Sequence, residues 1–243
     1  MINEKVNYVE GSTIQDAWRE VMYLCVKNGW DFLIKVGSYV GQIRKQLPYV
    51  TVVINQPWVR PLSPIMPPGI PGPTSEEKID IYFQRYIMSG IKDPNEEYTY
   101  GEFIERQLQR ILDLLVQSKG NTNQATICIG SVATTFLPDP PCLRVVSFKV
   151  VNGFVNMSVF FRSWDLYSGF PENLGGLQLL KEYVVSYLND HFPVKDGKII
   201  AFSDGLHIYD MYFDIVDTLN VDKIKVGEQA KKDKDTYILE HGT

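Results

Sequence analysis

The sequence predicts an α+β protein in which a large, mainly antiparallel sheet is flanked by helices. Three observations lead to this fold class. Apolar residues recur at helical spacing in five segments, short β-rich runs become frequent in the second half, and Asn152-Gly153 separates two of those runs. Asn-Gly is a strong hairpin signal because both residues tolerate positive φ, and a two-residue hairpin joins antiparallel strands.

The length and composition are typical of one folded domain. The 243 residues are 44% hydrophobic and 22% charged, which is enough apolar material for a sizeable core. We expect one domain over residues 1–225, followed by a polar C-terminal tail over residues 226–243.

Charge, cysteine content and hydropathy argue against several functional classes. The net charge of -5 opposes general attraction to nucleic acids or anionic membranes. The N-terminus is too polar for a secretory signal, and no apolar run approaches the roughly 20 residues that cross a bilayer. Three scattered cysteines form neither a disulfide framework nor a metal-ligand cluster. We expect a cytoplasmic protein that needs no metal, membrane or nucleic acid.

The first half contains three predicted helices and a proline-rich loop. Residues 12–29 have helical spacing, with Ser12 or Thr13 as the N-cap and Gly29 as the stop. Short β-rich runs follow over 32–36 and 49–55. Residues 56–73 hold seven of the fourteen prolines and are therefore predicted to form a loop. Two amphipathic helices are predicted next, over 75–89 and 100–118.

The second half is richer in β-structure. Strands are predicted over 124–131, 143–151, 154–162 and 198–203, where β-branched and aromatic residues concentrate. Apolar residues at helical spacing predict two further helices, over 172–190 and 209–219.

Cys142 stands at the start of a predicted strand, directly behind Pro140 and Pro141. The prolines fix φ and withhold backbone donors, which stiffens the approach to the thiol. A free cysteine is most often an inert, buried side chain. Its position alone leaves open whether Cys142 is a core residue or a nucleophile at the mouth of a strand.

Polar residues end the next strand and begin the helix after it. Arg162, Ser163 and Asp165 cluster at the strand end, and Asn173 lies just inside the helix. Burying such groups together is costly without a ligand or mutual pairing, so they favour a polar pocket beside Cys142. The alternatives are a structural Arg162–Asp165 ion pair and a helix cap at Asn173.

His207 and Tyr209 lie beyond a later strand, in "FSDGLHIYD". A lone histidine in such a place is more often a satisfied core residue than a functional one. Its position between Asp204 and Tyr209 favours a functional role.

Four short motifs share a specific order and spacing. "PPC" precedes "FRSWD", with Arg162 twenty positions after Cys142; "PEN" places Asn173 eleven positions after Arg162; and "HIY" comes last. Together these motifs resemble thymidylate synthase over residues 98–213. The segments "YTYG", "PPCLR" and "FRSWD" are most similar to the archaeal-type branch of the family. Sequences of that branch group with the pyrimidine-nucleotide hydroxymethylases.

The resemblance implies a thymidylate synthase-like fold, a homodimer and covalent catalysis by Cys142. C5 of uracil is a poor nucleophile until a group adds at C6, and a soft thiolate adds well. The thiol would need a lowered pKa, which a cation such as Arg162 could supply. The resemblance also implies dUMP as the substrate, 5,10-methylenetetrahydrofolate as the co-substrate, and Tyr100 as the residue assisting proton removal at C5.

Other site residues follow from the same resemblance. Arg162 and Ser163 resemble the phosphate binders, since a guanidinium fork suits phosphate oxygens. Asn173 resembles the residue that reads the base, because one amide offers both a donor and an acceptor. Asp165 resembles the aspartate that contacts the folate pterin and takes part in catalysis. His207 and Tyr209 resemble the residues that bond to the deoxyribose hydroxyl.

The chain departs from the family pattern at the phosphate site. Phe161 stands where the family usually has Gln, and Leu143 stands where bacterial members have His. Asn123 and Gln124 occupy the segment expected to hold the paired arginines that reach the phosphate from the partner subunit. The N-terminal arginine loop and the apolar C-terminal lid motif are also absent from the sequence. Possible replacements at the phosphate are Lys35, Arg44, Lys45, Arg60 and Arg144.

Three functions remain open from the sequence. Thymidylate synthase is the first, and a dUMP, dCMP or CMP hydroxymethylase, in which water replaces the hydride, is the second. The third is a catalytically silent relative that binds nucleotides or RNA, against which the intact Cys142, Arg162 and Asp165 argue. Asn173, rather than an aspartate, favours uracil over cytosine, although an amide can flip and present the reverse pattern.

Overall fold

A six-stranded sheet forms the body of the protein. The computed structural model describes residues 5–94 and 96–219, so the predicted tail over 226–243 lies outside the described residues. The strands, in spatial order, are β1 (Asn7–Gly11), β4 (Val50–Ile54), β9 (Lys195–Ser203), β7 (Phe154–Phe161), β6 (Leu143–Val151) and β5 (Thr126–Cys128).

The sheet is mixed. The pairings of β1 with β4 and of β7 with β9 are parallel, and the other three pairings are antiparallel. The α+β class and the large sheet are confirmed, and parallel pairs make the sheet less uniform than the sequence predicted. The cause is long range: β9 and β1 each join the sheet beside a strand far away in the chain.

The predicted hairpin joins β6 to β7. Asn152 and Gly153 both have positive φ, at 53° and 78°, and Val151 pairs with Phe154 across the turn. In both strands buried residues tend to alternate with more exposed ones. The inner face therefore packs on the core while the outer face stays accessible.

A second, four-stranded sheet was only partly predicted. Its order is β2 (Trp30–Leu33), β3 (Ile43–Leu47), β10 (Leu206–Tyr209) and β8 (Trp164–Asp165). β3 carries the sequence "IRKQL", which has too few apolar residues to indicate a buried strand. It is nevertheless buried in part because Lys45 pairs with Asp31 on the neighbouring strand at 2.9 Å.

Among the described residues, five α-helices pack around the two sheets. A capping box between Thr13 and Asp16 begins the first helix, as the sequence indicated for its N-cap. The third and fourth helices match the predicted segments closely, and the last predicted helix divides into a 3-10 turn and a short α-helix. Their bounds are α1 (Ile14–Asn28), α2 (Glu76–Tyr82), α3 (Gly101–Gln117), α4 (Gly169–Asn189) and α5 (Phe213–Thr218).

Close packing of α2 on α4 positions one side of the site. Gly175 and Gly176 of α4 leave no room for a Cβ atom, which would lie within 2.9 Å of Ile79 and 2.7 Å of Tyr82 and Ile87. After Tyr82 the helix continues as a π-helical turn, Phe83–Ile87. No helix in the described part of the chain is long and apolar enough to cross a membrane.

Candidate active site

Cys142 is held at the start of β6 by bonds on both sides. Its carbonyl accepts a hydrogen bond from the backbone N–H of Arg162 at 2.9 Å. The following N–H, of Leu143, donates to the hydroxyl of Tyr100 at 3.2 Å. The thiol is mostly buried, and burial raises its pKa although Arg162 and Arg44 act to lower it. The lowered pKa expected from the sequence is therefore not the net result.

Arg162 ties down the loop that precedes the thiol. Its guanidinium donates to the carbonyls of Pro140 and Pro141, the latter at 3.1 Å, and pairs with Asp139 at 3.1 Å. Prolines lack an N–H but keep a carbonyl, so the Pro-Pro pair supplies acceptors to the arginine. The ion pair of Arg162 is thus with Asp139, and the Arg162–Asp165 pair considered from the sequence does not form.

Four tyrosines pack against one another, and three of them lie within electrostatic range of Cys142. Tyr82 stacks on Tyr86 at 5.4 Å, and Tyr98 stacks on Tyr100 at 6.0 Å. Burial raises the pKa of each of the four, that of Tyr98 to about 12. When the Cys142 thiolate forms, its charge raises the pKa of Tyr82, Tyr98 and Tyr100 further. These hydroxyls remain protonated near neutral pH and offer hydrogen bonds beside the thiol.

Asn173 lies in the first turns of α4, where its amide bonds to side chains from two other segments. The indole N–H of Trp164 donates to Asn173 Oδ1 at 3.1 Å. Asn173 Nδ2 donates to the hydroxyl of Tyr82 at 2.9 Å. The side chain therefore does not serve as the helix cap considered from the sequence.

Asp165 holds the turn that leads into α4. Its Oδ1 accepts from the N–H of Tyr167 at 3.0 Å, and its Oδ2 accepts from the N–H of Gly169 at 3.2 Å and from the Ser168 hydroxyl. Burial raises the pKa of Asp165, and these hydrogen bonds oppose the rise. The carboxylate positions the helix start and also lies within electrostatic range of Tyr209.

His207 is a neutral imidazole with one defined tautomer. Burial, followed by the charge of Arg44, lowers its pKa to about 3. Nδ1 lies 2.8 Å from the carbonyl of Gly205, which can only accept, so Nδ1 carries the proton. Nε2 is then an acceptor, and it is buried with no partner among the described residues.

Strand register in the second sheet brings further groups to His207. Arg44 lies opposite Tyr209, and Gln46 lies opposite His207, which in turn pairs with Asp165. Directly opposite residues share a face of a sheet. Arg44 bonds to the Tyr209 side chain, and burial lowers the pKa of Arg44.

Three buried polar atoms converge without partners in the described part of the chain. They are Arg44 Nε, Gln46 Oε1 and His207 Nε2. Buried polar atoms are nearly always bonded to protein or to water, so three unpaired atoms on one sheet face indicate a place for a polar ligand. Arg44 also interacts electrostatically with Cys142 and with Arg162, so this face of the sheet lies next to the thiol.

A cleft of about 650 Å³ lies next to Tyr82, the hydrogen-bond partner of Asn173. Tyr82 and Tyr86 line it, and its charged lining residues are Lys78, Arg85, Asp93, Glu96 and Glu172. Glu172 precedes Asn173, and Tyr82 is its hydrogen-bond partner. The cleft is therefore lined by the residue before Asn173 and by the tyrosine that binds its amide.

Comparisons with known proteins agree with the motifs. The chain is 28% identical over 219 residues to "Putative thymidylate synthase" of Methanosarcina barkeri, covering 87% of the chain and 93% of that protein. The protein of the same name from Methanococcoides burtonii is 25% identical over 219 residues, again 87% of this chain and 93% of that protein. The resemblance to thymidylate synthase is confirmed. Thymidylate synthase of Bos taurus is 30% identical over 128 residues, 51% of this chain and 34% of that protein. No family model matches the chain.

In this thymidylate synthase-like chain, most of the predicted site residues lie in one region. Arg162 is bonded to the backbone of Cys142, Tyr100 is bonded to the next residue, Leu143, and Tyr209 lies within electrostatic range of Cys142. Asn173 is joined to that region through Tyr82. Ser163, half-buried, follows Arg162. Each role assigned from the resemblance remains a proposal.

Sequence reasoning missed two members of the region and left a third undecided. Tyr82 was read only as part of an amphipathic helix, and Gln46 lies on a strand that was not predicted. Arg44 was one of five possible phosphate ligands. Two of the others have different partners in the fold: Lys45 pairs with Asp31, and Arg60 pairs with Glu182 at 2.8 Å.

Proposed function

We propose that this protein is a thymidylate synthase, which converts dUMP and 5,10-methylenetetrahydrofolate into dTMP and dihydrofolate. One observation carries the proposal. The thiol of Cys142 is surrounded by cations and phenols from separate segments, namely Arg162, Arg44, Tyr100 and Tyr209. A buried thiol among these groups suits addition to an electron-poor ring better than it suits a core position.

The proposed first step is attack by the Cys142 thiolate on C6 of the uracil ring. This addition makes C5 nucleophilic. Arg162 and Arg44 stabilise the thiolate that burial disfavours. Tyr100, which accepts from the N–H of Leu143 and lies within electrostatic range of Cys142, assists removal of the C5 proton. The thiolate leaves when the product is released from C6.

The unpaired atoms of the second sheet suit the sugar and phosphate. We propose that Arg44 and Arg162, with Ser163, bind the phosphate, because charged N–H donors form strong hydrogen bonds to phosphate oxygens. Arg44 offers its unpaired Nε, and Arg162, whose Nε and Nη2 bind the 139–141 loop, offers Nη1. His207 Nε2 accepts a hydrogen bond from the deoxyribose hydroxyl, and Tyr209 contacts the same hydroxyl. Arg44 would thus replace an arginine that the resemblance expects from the partner subunit.

The cleft beside Asn173 suits the folate. When bound, the folate supplies the one-carbon unit and the hydride that completes the methyl group. The Tyr82–Tyr86 pair offers an aromatic wall for a flat ring. Lys78 and Arg85 share the lining with Asp93, Glu96 and Glu172, and are its cations available to the carboxylates of a glutamate tail. Asp165 lies opposite His207 in the second sheet, and we propose that its carboxylate contacts the pterin.

We propose a homodimer through the outer face of the six-stranded sheet. Tyr8, Thr51, Phe202, Phe160 and Val145 lie in one continuous row across five strands of that face. Tyr8 is 61% exposed and Phe202 is 41% exposed. A second copy, related by a two-fold axis, would cover this apolar row with the same row of its own.

Light scattering tests the dimer at micromolar concentration. Phe202→Glu should produce monomers, because it places two charges in the proposed interface. Tyr183→Glu, at a residue 43% exposed on α4, is the matched control and should leave the dimer intact. A monomeric wild-type protein would contradict the proposal.

Product analysis tests the reaction itself. The protein is incubated with dUMP and 5,10-methylenetetrahydrofolate, and both the nucleotide and the folate products are identified. A synthase oxidises the folate, so dihydrofolate should form in step with dTMP. A hydroxymethylase would give a hydroxymethyl nucleotide with tetrahydrofolate, because water enters in place of the hydride. Binding of nucleotide without any product would leave only the silent relative.

A further inference from the structure

We propose that Trp164 makes the site select uracil over cytosine by fixing the orientation of the Asn173 amide. This inference rests on the proposed function, because it assumes that Asn173 reads a pyrimidine base. Trp164 need not touch the nucleotide and would act through Asn173 as a positioning residue.

The orientation follows from the chemistry of the indole. Trp164 Nε1 lies 3.1 Å from Asn173 Oδ1, and an indole N–H can only donate a hydrogen bond. The amide oxygen must therefore face Trp164. If the amide flipped, its NH₂ group would face the indole N–H, and two buried donors would meet without an acceptor.

The indole is held too firmly to turn away from a flipped amide. Trp164 is 2% exposed, and its ring lies between two others: Phe161 at 4.3 Å and 6°, and Phe170 at 4.6 Å and 23°. Its backbone N–H donates to the carbonyl of Gly205 at 3.0 Å. A buried ring stacked on both sides cannot leave its position without opening a cavity.

Tyr82, the second partner of the amide, does not set the orientation. Its hydroxyl accepts from Asn173 Nδ2 at 2.9 Å. A hydroxyl can both donate and accept, so it would bond equally well to the oxygen of a flipped amide. Substitution of Trp164 should therefore release the amide orientation, whereas substitution of Tyr82 should not.

The fixed amide matches only one base pattern. With one lone pair of Oδ1 engaged by Trp164 and one N–H of Nδ2 engaged by Tyr82, a second acceptor site and a second donor remain for a ligand. They complement the N3–H donor and O4 acceptor of uracil. Cytosine presents an acceptor at N3 and a donor at N4, so it requires the flipped amide that Trp164 opposes.

Calorimetric titration with dUMP and with dCMP tests the inference. The wild-type protein should bind dUMP more tightly, and Trp164→Phe, which keeps the stacked ring and loses the donor, should reduce the preference about tenfold or more. Tyr82→Phe should change the preference far less. Trp18→Phe is the matched control, since its buried indole N–H donates to the carbonyl of Leu166 at 2.9 Å.

The possible results separate the inference from the proposed function. A wild-type preference that persists in Trp164→Phe would overturn the role of Trp164, as would an equal loss in Trp18→Phe. Equal wild-type affinity for dUMP and dCMP would also overturn it, while the proposed thymidylate synthase reaction could still be measured. Failure of the wild-type protein to bind either nucleotide would remove both. If Trp164→Phe does not fold, Trp164→Tyr can replace it in the test, because a hydroxyl can also accept a hydrogen bond from a flipped amide.

Discussion

The hydroxyl of Tyr100 accepts a hydrogen bond from the backbone N–H of Leu143 at 3.2 Å. This bond joins the residue that precedes α3 to the peptide unit next to Cys142. Since the carbonyl of Cys142 is bonded to the N–H of Arg162 on the other side, the backbone around the thiol is held from two directions. A phenol fixed at this point is suited to move a proton near the sulfur.

Tyr100→Phe should slow turnover roughly 100-fold, the lower end of what a positioned acid or base contributes. The phenyl ring keeps the packing but loses the hydroxyl near C5. Release of tritium from dUMP labelled at C5 measures the affected step directly. Tyr98→Phe is the control, because Tyr98 stacks on Tyr100 at 6.0 Å. Equal losses in both variants would show that Tyr100 has no special role.

Cys142→Ser should abolish turnover while leaving nucleotide binding and folding largely intact. Oxygen is a much poorer soft nucleophile than a thiolate, so addition at C6 should fail. The assay is dTMP formation alongside dUMP titration. Cys128→Ser, at an exposed cysteine on β5, should retain wild-type activity. Activity above a few per cent of the wild-type value in Cys142→Ser would remove the thiol from the mechanism.

Arg44→Gln should weaken binding of dUMP but not binding of deoxyuridine, which lacks the phosphate. The lost interaction is a charge-assisted hydrogen bond, so a reduction in affinity of about tenfold or more is expected. Titration with both ligands gives the comparison. Arg60→Gln provides the control because Arg60 is paired with Glu182 on α4. A similar loss for the nucleoside would show that Arg44 supports the fold and not the phosphate.

Asn173→Asp should reduce the use of dUMP and favour dCMP relative to it. A carboxylate accepts from N4–H₂ of cytosine but cannot donate to O4 of uracil. It can still accept from the Trp164 indole, so the fold should tolerate the change. The ratio of kcat/KM for the two nucleotides is the measurement, with Asn189→Asp at the end of α4 as control. An unchanged ratio would show that Asn173 does not read the base.

His207→Gln should flatten the dependence of stability on pH in the acid range. The folded-state pKa of about 3 lies below the ordinary value of 6.5, so below pH 6.5 the unfolded chain binds more protons. Stability therefore falls as the pH falls from 6.5 toward 3, by up to about 1.4 kcal/mol per pH unit from this group. Urea unfolding from pH 7 to pH 4 measures the slope. His191→Gln, at an exposed histidine, is the control; equal wild-type and His207→Gln slopes would contradict the buried neutral imidazole.

Local patterns in the sequence determined most of the first sheet and the helices. The Asn152-Gly153 hairpin depends on two residues that tolerate positive φ, and its strands were predicted within one residue of their ends. The strands β3 and β10 were missed because they lack such local signals. Each has only four or five residues, and polar side chains such as Lys45 become buried there through partners distant in the chain.

Short sequence motifs also identified the centre of the candidate site. Cys142, Arg162 and Asn173 follow one another at fixed spacing, and each lies where a strand or helix begins or ends, so short motifs were enough to identify them. Arg44, Gln46 and Tyr82 lie 60 to 98 residues before Cys142 along the chain. Only the pairing of β3 with β10, and the packing of α2 on the glycines of α4, place these three beside the rest. Their significance depends on unpaired buried atoms and on one indole hydrogen bond, which are properties of three-dimensional contact and leave no pattern along the chain.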